Sequence, residues 1–228
     1  MSAPPLALDI DGTMTRPRSG PRERGIDPRV METLREWPAP VVLATGKAFP
    51  YPTALCSFIG IPERVVAENG GIVFADDRLS YTGEPEAARA VAEAYEAEGH
   101  SIGFGETDLA NRWRETELAV SLDSPEEPLR RIAAEHDMEV LDTGYAYHVK
   151  SPGVDKGEGL KEVAEILALD PTSFVAVGDS ENDAPTFEVV GQSFAVANAD
   201  ERARTAADEV LDGEHADGLL EALDRIRE

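Results

Sequence analysis

The amino-acid sequence predicts an α/β fold, a parallel-sheet core interrupted by a smaller inserted α/β unit, and three observations carry the prediction. Short apolar runs alternate with amphipathic helical stretches at both ends of the chain, the order that builds a parallel sheet. Two of those runs, far apart in sequence, end in acid-rich turns, Asp9-Ile10-Asp11-Gly12-Thr13 and Gly178-Asp179-Ser180-Glu181-Asn182-Asp183. Between them, from about residue 76 to 152, the pattern changes to a separate alternation that closes at the hinge Ser151-Pro152-Gly153.

Taken in order, Pro5-Leu6-Ala7-Leu8 reads as a buried strand that stops at the polar turn after it. Asp27-Pro28 caps a helix reaching about Trp37. Pro40 to Ala44 is a second buried strand, and Thr45-Gly46-Lys47 is expected to open the next helix. Strands are expected near 64–67 and 71–75 around the turn Glu68-Asn69-Gly70. Residues 76–152 should hold a helix from Pro85 to Glu98, a strand near 118–122, a helix after Pro125, and strands near 139–141 and 145–149. A helix over 157–169, a strand over 173–177, a helix past Pro185, a strand over 193–196 and a final helix from about Asp217 then resume the first pattern. The expected division is therefore 1–75 plus 153–228 for the core and 76–152 for the insert.

The chain of 228 residues is 42% hydrophobic, enough to bury a core, but carries a formal net charge of -24. Nucleic acid and anionic membrane surfaces both need a basic stripe, and no basic cluster here outweighs its acidic surroundings. No apolar stretch approaches the roughly 18 residues of a membrane span. The single cysteine, Cys56, rules out an intramolecular disulfide and sits in an apolar helical segment as a core residue. The start of the sequence has neither the basic flank nor the apolar run of a secretory signal, so a cytoplasmic location is expected. Only four lysines occur, Lys47, Lys150, Lys156 and Lys161. An acidic, lysine-poor surface is what salt-rich solvent favours, because a Debye length of ~3 Å at ~1 M screens its self-repulsion.

In an open parallel sheet ligands bind outside the carboxyl ends of the strands, so both acidic turns can share one crevice. Carboxylates crowded there need a cation, and oxygen ligands suit a hard divalent ion, magnesium above all when phosphate shares the site. Each turn taken alone also reads as a solvated turn or helix cap; it is the pair that points to chemistry. Thr45 before a helix can hold an anionic oxygen, although threonine is also a common cap. Lys156, in Val154-Asp155-Lys156-Gly157, precedes another helix.

In this order, D-x-D-G-T, T-G, a lysine before a helix, and G-D-x-x-N-D resemble the haloacid dehalogenase superfamily across the whole chain. Glu68-Asn69-Gly70-Gly71-Ile72 and the inserted segment resemble its Cof-like branch. Asn111-Arg112-Trp113-Arg114-Glu115 is similar to a segment of the archaeal phosphoglycolate phosphatases, and the salt-adapted composition points to a haloarchaeal member. The resemblance implies a Rossmann-like core with an inserted α/β cap, and a magnesium-dependent phosphatase acting on 2-phosphoglycolate through an aspartyl phosphate. It implies Asp9 as nucleophile and Asp11 as acid and base, with Mg2+ held by Asp9, Asp11 through its backbone carbonyl, Asp179 and Asp183. Thr45 and Lys156 would bind the phosphoryl group, Asn182 would orient the acidic loop at the substrate, and Arg112 or Arg114 would grip a carboxylate. Where the family usually has arginine after Thr-Gly, Lys47 stands here and is read as pointing into the helix.

Other readings remain at this point. Trp113 could pack in the cap core, with Arg112 and Arg114 on one strand face pairing with Glu115 or Glu117. The four histidines lack metal spacing and read as surface or hydrogen-bonded groups, His148 being the least settled. A Cof-like sugar-phosphate phosphatase, a phosphomannomutase-like transferase, or a non-enzymatic binding protein on the same fold are the competing functions. The expected partner is a small phosphorylated acid, with neither nucleic acid nor membrane, bound by a monomer or homodimer.

Overall fold

A computed structural model of the chain describes residues 3–17, 25–143 and 146–227. Strands β1 (Leu6–Leu8) and β2 (Val41–Ala44) are joined through helix α1 (Pro28–Arg35). Helix α2 (Pro50–Ile59) leads to β3 (Val65–Ala67), β4 (Ile72–Ala75) and β5 (Arg78–Tyr81). Helix α3 (Pro85–Ala97), β6 (Leu118–Val120), α4 (Glu126–Glu135), β7 (Glu139–Asp142) and β8 (Tyr147–Lys150) follow. The chain ends with α5 (Lys156–Ile166), β9 (Val175–Gly178), α6 (Ala184–Val189), β10 (Gln192–Ala195), α7 (Glu201–Ala206), β11 (Glu209–Val210) and α8 (His215–Arg227).

The large sheet has the order β11-β10-β9-β1-β2-β3-β4-β5, parallel up to β3 and antiparallel for β4 and β5. β1 lies between β2 and β9, with Leu6 opposite both Val41 and Val175. The chain therefore leaves β1 in one direction and returns on its other side much later, which puts a crevice at the carboxyl ends of β1 and β9.

Alternation along β1 builds both faces. Leu6 and Leu8 join Val30, Leu34, Ile59, Leu219 and Leu223 on the side of α1, α2 and α8. Ala7 faces the other way, with Leu160, Val163 and Phe187 of α5 and α6. Each fully buried leucine contributes on the order of 2 kcal/mol. The smaller sheet, β6-β8-β7, is antiparallel and packs its own core of Val91, Tyr95, Leu129 and Ile132 against α3 and α4. A cap on an α/β core is thus the architecture observed. Among the described residues, no helix is long and apolar enough to cross a membrane.

Differences from the sequence reading have local causes. The helix expected to open at Thr45 begins at Pro50, because proline favours the first helical turn and the residues before it form a bend. Although 76–152 was expected to form the insert, Arg78–Tyr81 is the edge strand of the large sheet. Asp76 and Asp77, at φ of 47° and 62°, form a two-residue hairpin turn rather than a linker. Strand β8 begins at Tyr147; the expected start at Tyr145 lies outside the described residues. Helix α7 and strands β5 and β11 were not anticipated, each being too short for periodicity to register.

Two hydrogen bonds brace the place where the chain passes between insert and core. The Glu84 amide donates to Ser151 Oγ at 2.9 Å, joining outgoing and returning chain, and Lys150 Nζ donates to the Val154 carbonyl at 2.7 Å. Gly70, at φ +104°, lies beneath α5, where an added Cβ would sit 2.0 Å from the Asp155 carbonyl oxygen. Gly99, at φ +87°, has nothing within 4 Å of the same added atom. Gly70→Ala is expected to lower unfolding free energy by more than about 2 kcal/mol, against about 1 kcal/mol for Gly99→Ala. Urea denaturation of the two variants checks this, and equal losses would remove the role given to the close approach.

Candidate active site

Asp9 follows β1 directly, its amide donating to the Val177 carbonyl of β9 at 3.0 Å. Lys156 is the first residue of α5, a helix capped by Asp155, whose side chain accepts from the Glu158 amide at 2.9 Å. That start sends Lys156 Nζ between two carboxylates, 2.7 Å from both Asp9 Oδ1 and Asp183 Oδ1, with the lysine fully buried. Asp183 Oδ2 accepts the Asp179 and Ser180 amides at 3.0 and 3.1 Å, which folds the acidic loop back on itself. Asp9, Asp179 and Asp183 each offer one oxygen within 4.8 Å of the others.

The electrostatics of this group are unbalanced. Burial raises the Asp9 carboxyl above its ordinary range, Lys156 lowers it, and Asp183 and Asp11 raise it further. Asp179 is raised in the same way by burial and by the charges of Asp9 and Asp183, with Lys156 opposing. Burial alone would lower Lys156, but Asp183 and Asp9 outweigh it and hold the ammonium above the usual lysine range. Among the described residues, the buried Asp9 Oδ2 and Asp179 Oδ1 have no hydrogen-bond partner. Three carboxylates around one ammonium, with two buried oxygens unsatisfied, are a donor set that fits a hard divalent cation.

Gly12 closes this turn for a steric reason. At φ +87°, an added Cβ would lie 1.9 Å from Asp179 Oδ2. Asn198 Nδ2 spans the same contact, donating to the Gly12 carbonyl at 3.1 Å and to Asp179 Oδ2 at 3.3 Å. His215 Nδ1 also lies 3.0 Å from the Gly12 carbonyl.

The structure brings most of the expected residues together in one cleft of about 420 Å³. Asp9, Asp11, Thr45, Asn182, Asp179 and Arg114 line it, while Lys156 and Asp183 lie beneath its floor. Asp11 is half-exposed, outside the three-carboxylate cluster, and its Oδ2 pairs with Lys47 Nζ at 3.0 Å. Lys47 therefore faces the cleft, correcting its assignment to the helix, because that helix begins three residues later. Thr45 Oγ1 accepts from the Lys47 amide at 3.2 Å within this bend. Asn182 is engaged by protein on both sides, Oδ1 accepting from Ser180 Oγ at 2.8 Å and Nδ2 donating to Asn69 Oδ1 at 3.0 Å.

The two cap arginines separate. Arg112 is exposed and does not line the cleft, whereas the Arg114 side chain is 10% exposed and does. Neither lies on a strand: residues 109–113 form turns, so the expected strand face is absent. Trp113 is half-exposed rather than in the cap core, packing edge-on against Tyr51 of α2 at 6.0 Å. Cys56 is fully buried, and burial pushes its thiol up to about 11, which leaves it inert.

The sequence reading missed a buried polar group under the cap. Glu68 and Asn69 both adopt left-handed backbone, at φ of 50° and 53°. The Glu68 carboxylate accepts the Glu115 and Thr116 amides and the Thr116 hydroxyl, and burial raises its pKa against those bonds. Glu117, completely buried, accepts from Asn69 Nδ2 at 2.9 Å, bonds His148 Nδ1 and lies 3.4 Å from Arg114 Nη1. The available signal was a charge inside an apolar strand: Glu117 precedes Leu-Ala-Val and His148 lies between Tyr147 and Val149.

Burial would push the Glu117 carboxyl up, but His148 and Arg114 nearby and the bonds from His148 and Asn69 outweigh it and leave it at about 2. Its proton is thus held less tightly folded than unfolded, where the ordinary value is 4.5. The stability it contributes is complete above about pH 4.5 and is lost as pH falls through about 2. Urea unfolding between pH 6 and 2 is expected to show a steeper acid loss for the native chain than for Glu117→Gln. Parallel curves would show that this carboxylate carries none of the acid sensitivity.

Comparison with known proteins bears on this geometry. A family model for haloacid dehalogenase-like hydrolases matches residues 126–223. The chain is 58% identical over 226 residues to the phosphoglycolate phosphatase of Natronomonas pharaonis, covering 98% of both chains. It is 57% identical to that of Haloarcula marismortui, covering 99% of this chain and 98% of the relative. Identity is 38% to the phosphoglycolate phosphatase of Methanococcoides burtonii, over 96% of this chain and 94% of the other. Among solved structures, a Thermoplasma acidophilum protein superposes with a TM-score of 0.82 at 26% identity, covering 100% of this chain and 99% of that one. A haloacid dehalogenase-like hydrolase from Bacteroides thetaiotaomicron superposes at 0.76 and 20% identity, over 98% and 99% of the two chains.

Proposed function

The chain belongs to the haloacid dehalogenase-like hydrolases and is a phosphatase, and we propose that it hydrolyses 2-phosphoglycolate to glycolate and phosphate through an aspartyl phosphate, with magnesium as cofactor. The observation that carries the chemistry is the buried Asp9, Asp179 and Asp183 around Lys156, with two carboxylate oxygens left without partners. Relatives above 50% identity over nearly the full chain, all named phosphoglycolate phosphatase, support the substrate.

In this reading an Asp9 oxygen attacks phosphorus as the ester P–O bond breaks, and Asp11 gives its proton to the departing glycolate oxygen. Water then attacks phosphorus, Asp11 takes its proton, and Asp9 leaves as the free carboxylate. The half-exposed position of Asp11 beside Lys47 suits a group that must exchange protons with the cleft. Lys156 orients Asp9, and Thr45 lies at the cleft wall where a phosphoryl oxygen would sit. Asn182 holds the acidic loop to the Asn69 turn through one N–H of its amide, which leaves the second N–H for the substrate side of the cleft. Asp9, Asp179, Asp183 and the backbone carbonyl of Asp11 would hold the magnesium ion. Bound there, it supplies the positive charge that keeps Asp9 ionised and offsets repulsion between carboxylate and phosphate.

Phosphate release from a panel of small phosphomonoesters is expected to favour 2-phosphoglycolate, to stop with EDTA and to return with magnesium. Asp9→Asn should reduce kcat by more than about 10³-fold, in line with losing a covalent step. Turnover unchanged in that variant would sink the nucleophile assignment, and a flat response across acids and sugars would sink the substrate while leaving the phosphatase intact.

The location of the lysines supports a surface adapted to salt and a cytoplasm rich in it. Lys156 and Lys150 are buried, Lys47 faces the cleft, and Lys161 is paired with Glu158 at the surface. Unfolding temperature and activity should fall together as potassium chloride drops from molar to millimolar. Full stability in dilute buffer would leave the charge of -24 without this explanation.

A further inference from the structure

We propose that Arg114 and His148, both held on the buried carboxylate of Glu117, form the subsite of the cap that receives the substrate's carboxylate and so decides which phosphate ester is hydrolysed. This rests on the reading of the chain as a phosphatase for a phosphorylated small acid.

The cleft has two unlike walls. One is the sheet end, where Asp9, Asp11 and Asp179 gather. The other is contributed by the insert, where Arg114 precedes β6 and His148 lies on β8, the strand paired with it. On the core side of the cleft the cations pair with carboxylates of the core, Lys47 with Asp11 at 3.0 Å and Arg16 with Asp27 at 3.4 Å. Arg114 Nε is satisfied by the Ala110 carbonyl at 3.0 Å. Its Nη1, ion-paired with Glu117 Oε1 at 3.4 Å but without hydrogen-bond geometry, is buried and has no hydrogen-bond partner among the described residues. A buried guanidinium nitrogen with no hydrogen bond of its own, on the wall of a cleft, is placed for an acceptor that arrives with a ligand.

Glu117 decides the charge of this wall. Fully buried, it is held by Asn69 and His148, so it fixes both cap side chains without facing solvent itself. Its one negative charge is matched by Arg114, and the His148 ring lies against the same carboxylate with its other edge on the cleft wall. A carboxylate is the chemical complement of such a pair, and a short one suits a cleft of about 420 Å³ that must also hold phosphate. Glu117 further connects through Asn69 to Asn182 at 2.9 and 3.0 Å, so one chain of hydrogen bonds joins this wall to the acidic loop. The spacing between the two anion sites is thereby built into the fold, and that spacing selects the length of the substrate.

The test is the ratio of kcat/KM for 2-phosphoglycolate to that for ethyl phosphate, which has the same chain length and no carboxylate. It is measured with magnesium in molar potassium chloride for the native chain, Arg114→Ala, Arg114→Lys and His148→Asn. Asparagine keeps a donor where Nδ1 meets Glu117, so that variant retains the buried contact while losing the rest of the ring. The native chain is expected to prefer the carboxylate-bearing ester. Arg114→Ala and His148→Asn should each cut that preference roughly 10- to 100-fold, chiefly through KM, with partial recovery in Arg114→Lys. A preference retained in both variants, or equal losses on the two esters, would overturn the subsite while leaving the substrate reading standing. Absence of any preference in the native chain would instead overturn the substrate reading.

Discussion

One ammonium group between two buried carboxylates is the constraint from which the rest of the molecule follows. Lys156 reaches Asp9 and Asp183 at 2.7 Å in a place closed to water, with Asp179 close by. Isolated charges in such a place would be prohibitive, and one lysine cannot neutralise three acids. The positive charge still missing is what the divalent cation proposed for this site would supply. Each element around the site serves this arrangement: β1 and β9 lie side by side so that their ends meet, and the Asp155 cap starts α5 where its first side chain reaches both carboxylates.

The turn Glu68-Asn69-Gly70 is the second organising feature. Two consecutive side-chain-bearing residues in left-handed backbone are costly, and they persist because their side chains are fully used. Glu68 grips the start of β6 through the Glu115 and Thr116 amides, while Asn69 links Glu117 of the cap to Asn182 of the acidic loop. Cap and core thus meet through buried polar contacts at the cleft itself, with Trp113 packing on Tyr51 beside them.

The charge of -24 takes on a different meaning once the positions are known. Acids at the surface repel one another and depend on solvent ions for relief. Acids at the strand ends are held together against that same repulsion by Lys156 and by amide donors. Identical residue types therefore serve solubility in one place and reactivity in another, and burial separates the two uses.

By itself the sequence determined the strand and helix order, both acidic turns and the lysine before α5, because apolar periodicity and turn-forming residues are local signals. Asp9, Asp179, Asp183 and Lys156 were legible for that reason, as members of motifs that each lie within a few residues. Only the tertiary structure decided that Lys47 meets Asp11, that Arg114 rather than Arg112 enters the cleft, and that Glu117, His148 and Asn69 form one buried network. The partners in that network are separated by as many as 48 residues, and no local pattern encodes which of many acids will lie opposite which cation. The edge strand β5 was hidden for a related reason: Asp76-Asp77 looks the same as a linker or as a tight hairpin until the sheet supplies a partner. Local chemistry specified the parts, whereas the long-range pairing of β1 with β9 and of the cap with its turn specified the site.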